Sequence, residues 1–207
     1  MNADSLRLNI GAGQTYLPGF RNIDLAEHAD IQVDLNRDRL PFEDDSVDLI
    51  FTYHALEHIE RYLFALGEIH RVLKHGAALL VGVPYVTLTE YNLVNPYHCQ
   101  HFNEYSFDFF DPAKLKGTAV EANEILLTKA FHRFHYMEEF VDAEPQEREW
   151  ARRHLFNVVR KIDFGVIAIK DPARPVPITE DLAGGLTRLF DECLANRLAY
   201  PQKQVAG

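Results

Sequence analysis

Short runs dominated by apolar residues, each closed by glycine, proline or polar residues, mark the first half of the chain. "LRLNIG" (6–11), "RNIDL" (21–25), "IQVDL" (31–35), "VDLIFTY" (47–53) and "AALLVGVP" (77–84) have the length and composition of strands. Between the fourth and the fifth the period changes. In "ALEHIERYLFALGEIHRVLKHG", Leu56, Ile59, Leu63, Leu66, Ile69 and Leu73 recur at spacings of three and four, which predicts an amphipathic helix closed by Gly76. Strands joined through helices imply a parallel sheet.

Further on, "EILLTKAFHRFHY" (124–136) and "NVVRKIDFGVIAIK" (157–170) read as two long strands able to pair antiparallel at one edge of that sheet. The charged segment between them, "EEFVDAEPQEREWARRH", reads as a solvated helix. "ITEDLAGGLTRLFDECLANRLAY" (178–200) carries Leu182, Leu186, Leu189, Phe190 and Leu194 along one helical face. That helix either packs on the domain or joins two copies as a homodimer. No internal repeat or low-complexity tract is visible.

With 207 residues, 47% of them hydrophobic, the chain has the size and composition of one domain spanning 1–207. Acidic residues outnumber basic ones 31 to 21, a formal charge of −10. That balance argues against a nucleic-acid or anionic-membrane partner and suits small neutral or cationic ones. Cys99 and Cys193 stand far apart in the chain, as in a protein of a reducing compartment. The start, "MNADSLRLNIGAG", lacks a basic segment leading into an apolar one, and no run approaches the ~18 apolar residues of a membrane span. A cytoplasmic location is expected.

Candidate chemistry begins at "LNIGAGQ" (8–14), where a strand ends in Gly11 and Gly13 but Gln14 stands in place of a further glycine. A nicotinamide-binding turn calls for a third glycine and for an acid roughly twenty residues on. Here Asp24 follows Gly13 by only eleven positions, and Pro18 and Gly19 between them leave room for a loop or a single turn, not a crossover helix. An acid at the end of a second strand, beside a glycine turn at the end of the first, suits a ribose, because a carboxylate accepts both sugar hydroxyls. Asp34 adds an acceptor for an adenine amino group and Leu35 an apolar lid. Glycine turn, Asp24 and Asp34 together describe an adenosine site.

In "LNIGAG", "GFRNIDL", "LPFEDDSVDLIFTYHALEHI", "EIHRVLKHGAALLVGVP" and, more loosely, "NPYHCQHF", the sequence resembles the class I S-adenosylmethionine-dependent methyltransferases, most closely the small type 11 subgroup. The resemblance spans about residues 6 to 110. It implies an α/β fold: a Rossmann-like, mostly parallel seven-stranded sheet with helices on both faces and an antiparallel edge strand. It also implies that S-adenosylmethionine lies with its methionine part near Gly11, Ala12 and Gly13, its ribose at Asp24 and Leu25, and its adenine at Asp34 and Leu35. The turn after "VDLIFTY", with His54, faces the sulfonium. Asn9 takes the place of an acid that many relatives carry two residues before the first glycine, and it is counted with the cofactor contacts.

His54, Glu57 and His58 in "YHALEHIE" fall at helical offsets and share one face. That spacing suits a divalent metal or a structural polar cap at the start of the helix, but the reading preferred here gives the histidines to catalysis or to the acceptor, and no metal is assigned. His98 and His101 in "NPYHCQHF" follow the fifth strand, on the rim where parallel α/β sheets bind ligands, and with His58 they are the candidate bases. Tyr85, Tyr91, Tyr97, Phe102, Tyr105, Phe107, Phe109 and Phe110 crowd the same stretch, so 85–123 is read as an acceptor-pocket and lid segment. "FHRFHY" (131–136) reads as strand packing, and 175–207 as a C-terminal helical extension.

The expected activity is transfer of a methyl group from S-adenosylmethionine to an oxygen, less readily a nitrogen, of a small molecule such as a sugar or secondary metabolite. The alternative is a catalytically silent scaffold that binds the same cofactor within a biosynthetic pathway. A nicotinamide reductase is disfavoured by the short gap to Asp24.

Overall fold

The computed structural model describes residues 5–114 and 124–200. Seven strands form one sheet in the order β4-β3-β1-β5-β6-β8-β7. They are β1 (Arg7–Ile10), β3 (Arg21–Asp24), β4 (Ile31–Gln32), β5 (Val47–Tyr53), β6 (Leu73–Pro84), β7 (Leu127–Tyr136) and β8 (Val159–Ala168). Two more, β2 (Thr15–Tyr16) and β9 (Leu198–Ala199), pair with each other antiparallel. β4, β3, β1, β5 and β6 run parallel. β8 lies antiparallel between β6 and β7, so the antiparallel pairing sits at one edge, as the two long apolar runs predict.

β5, β6 and β8 are nearly continuous apolar runs because the sheet is covered on both faces. On one face α1 (Tyr62–Val72) buries Ala65, Leu66, Ile69 and Val72, beside Phe102, Phe107 and Phe110 of the irregular segment after β6. On the other, α3 (Glu180–Ala195) buries Leu186, Phe190 and Cys193 over Phe51, Leu80 and Ile167. The apolar stripe of the C-terminal helix is thus used within its own domain. α2 (Pro145–His154) starts on a proline and buries only Ala151, in keeping with a solvated helix.

Three local predictions are corrected. The helix expected from Ala55 begins only at Tyr62, preceded by a single 3₁₀ turn at Leu56–His58. The carbonyl of Glu57 is taken by the backbone N–H groups of Cys99 and Gln100, at 2.7 and 3.1 Å, and Ile59 turns extended. The helical phase slips accordingly, and Leu63 lands on the exposed side. At the other end Gly76 does not close a helix: β6 already starts at Leu73, and Gly76, with φ +80°, lies in the irregularity that separates the pairings Val47–Leu73 and Leu49–Ala78. Finally, of "IQVDL" only Ile31 and Gln32 are strand, because Asp34 forms a turn of its own.

The chain leaves β1 towards β3 and β4, then returns to β5 on the other side of β1. Such a reversal opens a crevice at the carboxyl ends of the strands, where open α/β sheets bind ligands. The expected lid segment and C-terminal extension run on into 115–123 and 201–207, which lie outside the described residues.

Candidate active site

The first loop of the crevice depends on two glycines with positive φ, Gly11 at +69° and Gly13 at +59°. A Cβ on Gly11 would lie 2.1 Å from Cβ of Ala55, so the turn after β1 passes against the turn after β5 with no room for a side chain. Gly13 meets the opposite situation: nothing lies within 4 Å of its Cβ position, which faces open space. Its N–H donates to Oδ2 of Asp24 at 2.8 Å, and the N–H of Ala26 donates to Oδ1 at 3.0 Å. These bonds fix the carboxylate at the end of β3 and leave each oxygen a further lone pair.

Asp34 is held in a similar way, by the N–H of Asn36 at 2.9 Å and by the Arg37 guanidinium at 3.1 Å. Its role as a turn former therefore coexists with its position on the crevice wall. The resulting cleft has a volume of about 290 Å³, with Gly11, Gly13, Asp24, Leu25, Asp34 and Leu35 on one side and His54, Ala55 and His58 on the other. That is near the lower end of ligand-binding pockets, roughly 300–1,000 Å³. Asn9 and Ala12 are not part of its lining. Both are buried, and the Asn9 amide donates to Oδ1 of Asn22 at 2.9 Å, bracing the turn from behind.

A second cleft, of about 510 Å³, opens beside the first. His54 and His58 line both. The far side of this second cleft is formed by Tyr91, His98, Arg160 and Lys161. His54 adopts φ +54°, a left-handed conformation uncommon for a residue with a side chain. Its Nδ1 lies 3.0 Å from Oε1 of Glu57, whose side chain is almost completely buried and whose Oε2 has no hydrogen-bond partner among the described residues.

The rings of His58 and His98 stand 4.6 Å apart, close to perpendicular. Nδ1 of His58 lies 3.1 Å from the Tyr97 carbonyl, and Nδ1 of His98 lies 2.9 Å from Oδ1 of Asn92. Both partners only accept: the Asn92 amide is oriented by donating its Nδ2 to the Tyr85 carbonyl. Each Nδ1 therefore carries the hydrogen, and each Nε2 is left with a bare lone pair. Burial, followed by the neighbouring His58, holds the pKa of His98 below the ordinary imidazole value, so it is neutral at pH 7.

His101 is not brought into either cleft; it lines a separate hollow with Tyr62, Phe102 and Phe109. Of the aromatic crowd, Tyr91 reaches the second cleft, whereas Tyr85, Phe102, Phe107 and Phe110 are core. "FHRFHY" forms β7 and packs as a strand, but Arg133 and His135 also reach Asp163, which is completely buried on β8 and bonded at 2.9 Å to Lys161. Sequence reading missed this ion cluster and the contribution of β8 to the cleft. The available signal was the pair of charges, Lys161 and Asp163, inside an otherwise apolar run.

Residues 20–81 match the family model described as a methyltransferase domain. No curated protein matches the chain by sequence. Among solved structures, a SAM-dependent methyltransferase from Archaeoglobus fulgidus aligns with a TM-score of 0.54 at 14% identity, over 80% of this chain and 86% of that one. The YcgJ protein from Bacillus subtilis aligns at 0.50 and 16% identity, over 81% and 94%. The cyclase SpnF aligns at 0.50 and 13% identity, over 81% and 76%. The fold is thus that of S-adenosylmethionine-dependent methyltransferases, and residues 20–81 carry the match to the methyltransferase-domain model.

Proposed function

We propose that the chain moves the methyl group of S-adenosylmethionine to an oxygen, less readily a nitrogen, of a small hydroxylated molecule held in the second cleft. The observation that carries this reading is the shared wall. His54 and His58 line both clefts, so a ligand seated over Gly11 and Asp24 meets one seated beside His98 across a single turn of chain.

When bound, S-adenosylmethionine supplies a methyl carbon already activated by its sulfonium leaving group. The residues of the chain do the rest. Asp24 is positioned to grip the ribose hydroxyls, Asp34 and Leu35 to receive the adenine, and the side-chain-free turn at Gly11 and Gly13 to let the amino-acid part pass. In-line displacement then requires little more than a nucleophile held at attack distance and relieved of its proton. His58 and His98 present two Nε2 lone pairs for that end of the reaction. Arg160, exposed on the opposite wall, suits an acceptor with an acidic substituent near its hydroxyl.

A silent scaffold would be favoured by a closed acceptor side, and the open second cleft speaks against it. The test is a screen of hydroxylated acceptors, followed by release of S-adenosylhomocysteine, with calorimetry of both nucleotides alongside. Tight binding of NAD with no response to S-adenosylmethionine would overturn the proposal. Cofactor binding with no methylated product from any acceptor would return the scaffold reading.

A further inference from the structure

We infer that Glu57, His58 and His98 form a binding site for a divalent transition-metal cation on the acceptor side of the proposed methyl-transfer site. For the acceptor's place the inference rests on the preceding proposal; for the cation it stands on the side chains themselves.

One ligating atom from each of the three residues lies within 4.8 Å of the others. Two imidazoles and one carboxylate on one side of an open cleft is a donor set that suits transition metals with free coordination positions, rather than Mg²⁺ or Ca²⁺. The orientation of the donors is settled by their other bonds. Nδ1–H of His58 is pinned by the Tyr97 carbonyl and Nδ1–H of His98 by Asn92, which fixes the tautomer and leaves Nε2 free, as in metal-binding histidines generally.

Glu57 supplies the independent observation. Its side chain is 1% exposed, yet only Oε1 is engaged, by His54; Oε2 is buried with no partner among the described residues. A buried carboxylate oxygen left unbonded is costly and rare, and a cation is one of the few things that resolves it. Metal–ligand bonds of about 2.0–2.2 Å require the three atoms to be no more than about twice that apart. The separations found, all within 4.8 Å, lie within about half an ångström of that limit, so the ring of His58 can keep its bond to the Tyr97 carbonyl.

The cation's open positions face the second cleft. An acceptor hydroxyl bound there is acidified and releases its proton to water. Its oxygen then forms the new bond to carbon as the methyl–sulfur bond breaks, with the electron pair leaving on sulfur. His58 and His98 on this reading act by holding the ion.

The test titrates Co²⁺ into the full-length, chelator-treated protein in the absence of nucleotide and acceptor, and follows visible absorbance. The expected result is one saturable equivalent, competed by Mn²⁺ or Zn²⁺ but not by Mg²⁺. It should be lost in both Glu57→Gln and His98→Ala, with circular dichroism reporting that each remains folded. Asn92→Ala, which frees the His98 ring, should weaken Co²⁺ binding about 10–100-fold, and Asn92→Asp, which keeps an acceptor at Nδ1, should restore it. A missing saturable band, or a band unchanged in both ligand variants, overturns the inference. If Co²⁺ binds but no acceptor is methylated, the proposed function falls and the cation site stands. If metal-free protein without such a band still methylates, the reverse holds.

Discussion

Replacing Asp24 by alanine should weaken the cofactor without disabling the acceptor side. The carboxylate has two roles in the structure: its oxygens accept the N–H groups of Gly13 and Ala26, and their remaining lone pairs face the first cleft. Loss of a charge-assisted hydrogen bond is worth roughly 1.5–3 kcal/mol, which is about 10- to 150-fold in dissociation constant. The two backbone bonds are partly solvated, so their loss should lower fold stability by about 1–3 kcal/mol in total. A variant that acts on stability alone separates the two effects. Asp30 accepts the backbone and side-chain N–H groups of Asn22, at 2.8 and 2.9 Å, and is not part of the cleft lining. Asp30→Ala should therefore destabilise while leaving affinity within about twofold. Calorimetry with S-adenosylhomocysteine and urea denaturation of both variants give the four numbers needed. If Asp24→Ala binds as tightly as the parent while folded, or if Asp30→Ala loses as much affinity, Asp24 is a turn former only.

Gly11→Ala places a methyl group 2.1 Å from Cβ of Ala55 on a backbone with φ +69°, so strain and overpacking together should cost about 2–5 kcal/mol, read by denaturant midpoint. Asp163→Ala leaves Lys161 and Arg133 without their buried partner and should cost about 3–5 kcal/mol. Burial acts to raise the pKa of Asp163, but bonds from His135 and Lys161 outweigh it and the native value is depressed. Its contribution is therefore complete above the unfolded carboxylate pKa of about 3.9 and is lost as pH falls through the native value, so acid unfolding of the parent should steepen below about pH 4 and flatten in Asp163→Asn. His98→Ala should cut turnover by about 10²–10⁴ while leaving cofactor affinity intact, whereas His101→Ala, outside both clefts, should change neither.

Much of the fold was legible because the central parallel strands β1, β5 and β6 are largely buried on both faces and so appear as mainly apolar runs. β1, β5 and β6 are found within a few residues of where those runs place them. What misled was local pattern overruled by distant partners. Leu56, Ile59 and Leu63 keep helical spacing, but the carbonyl of Glu57 bonds to Cys99 and Gln100, some forty residues away, and the helix cannot start until Tyr62. The two-residue strands β2 and β9 leave no periodic trace at all. They are defined by pairing, and their pairing brings the N–H of Tyr200 to the carbonyl of Gln14 beside the glycine turn.

That Gly11, Asp24 and Asp34 share one cleft could be read from sequence because they sit at the ends of consecutive strands, and strand order alone brings them together. The second cleft follows a different rule. Glu57 and His58 belong to the turn after β5 and His98 to an irregular loop after β6, and spacing along the chain says nothing of their meeting. The same two bonds that end the expected helix, from Cys99 and Gln100 to Glu57, carry the loop of His98 onto that turn. The error in the helix and the missed grouping of Glu57 with His58 and His98 thus share one cause. In YHALEHIE the residue three positions before Glu57, His54, was the obvious companion, and in the structure it serves instead to hold Oε1, leaving Oε2 buried without a donor among the described residues.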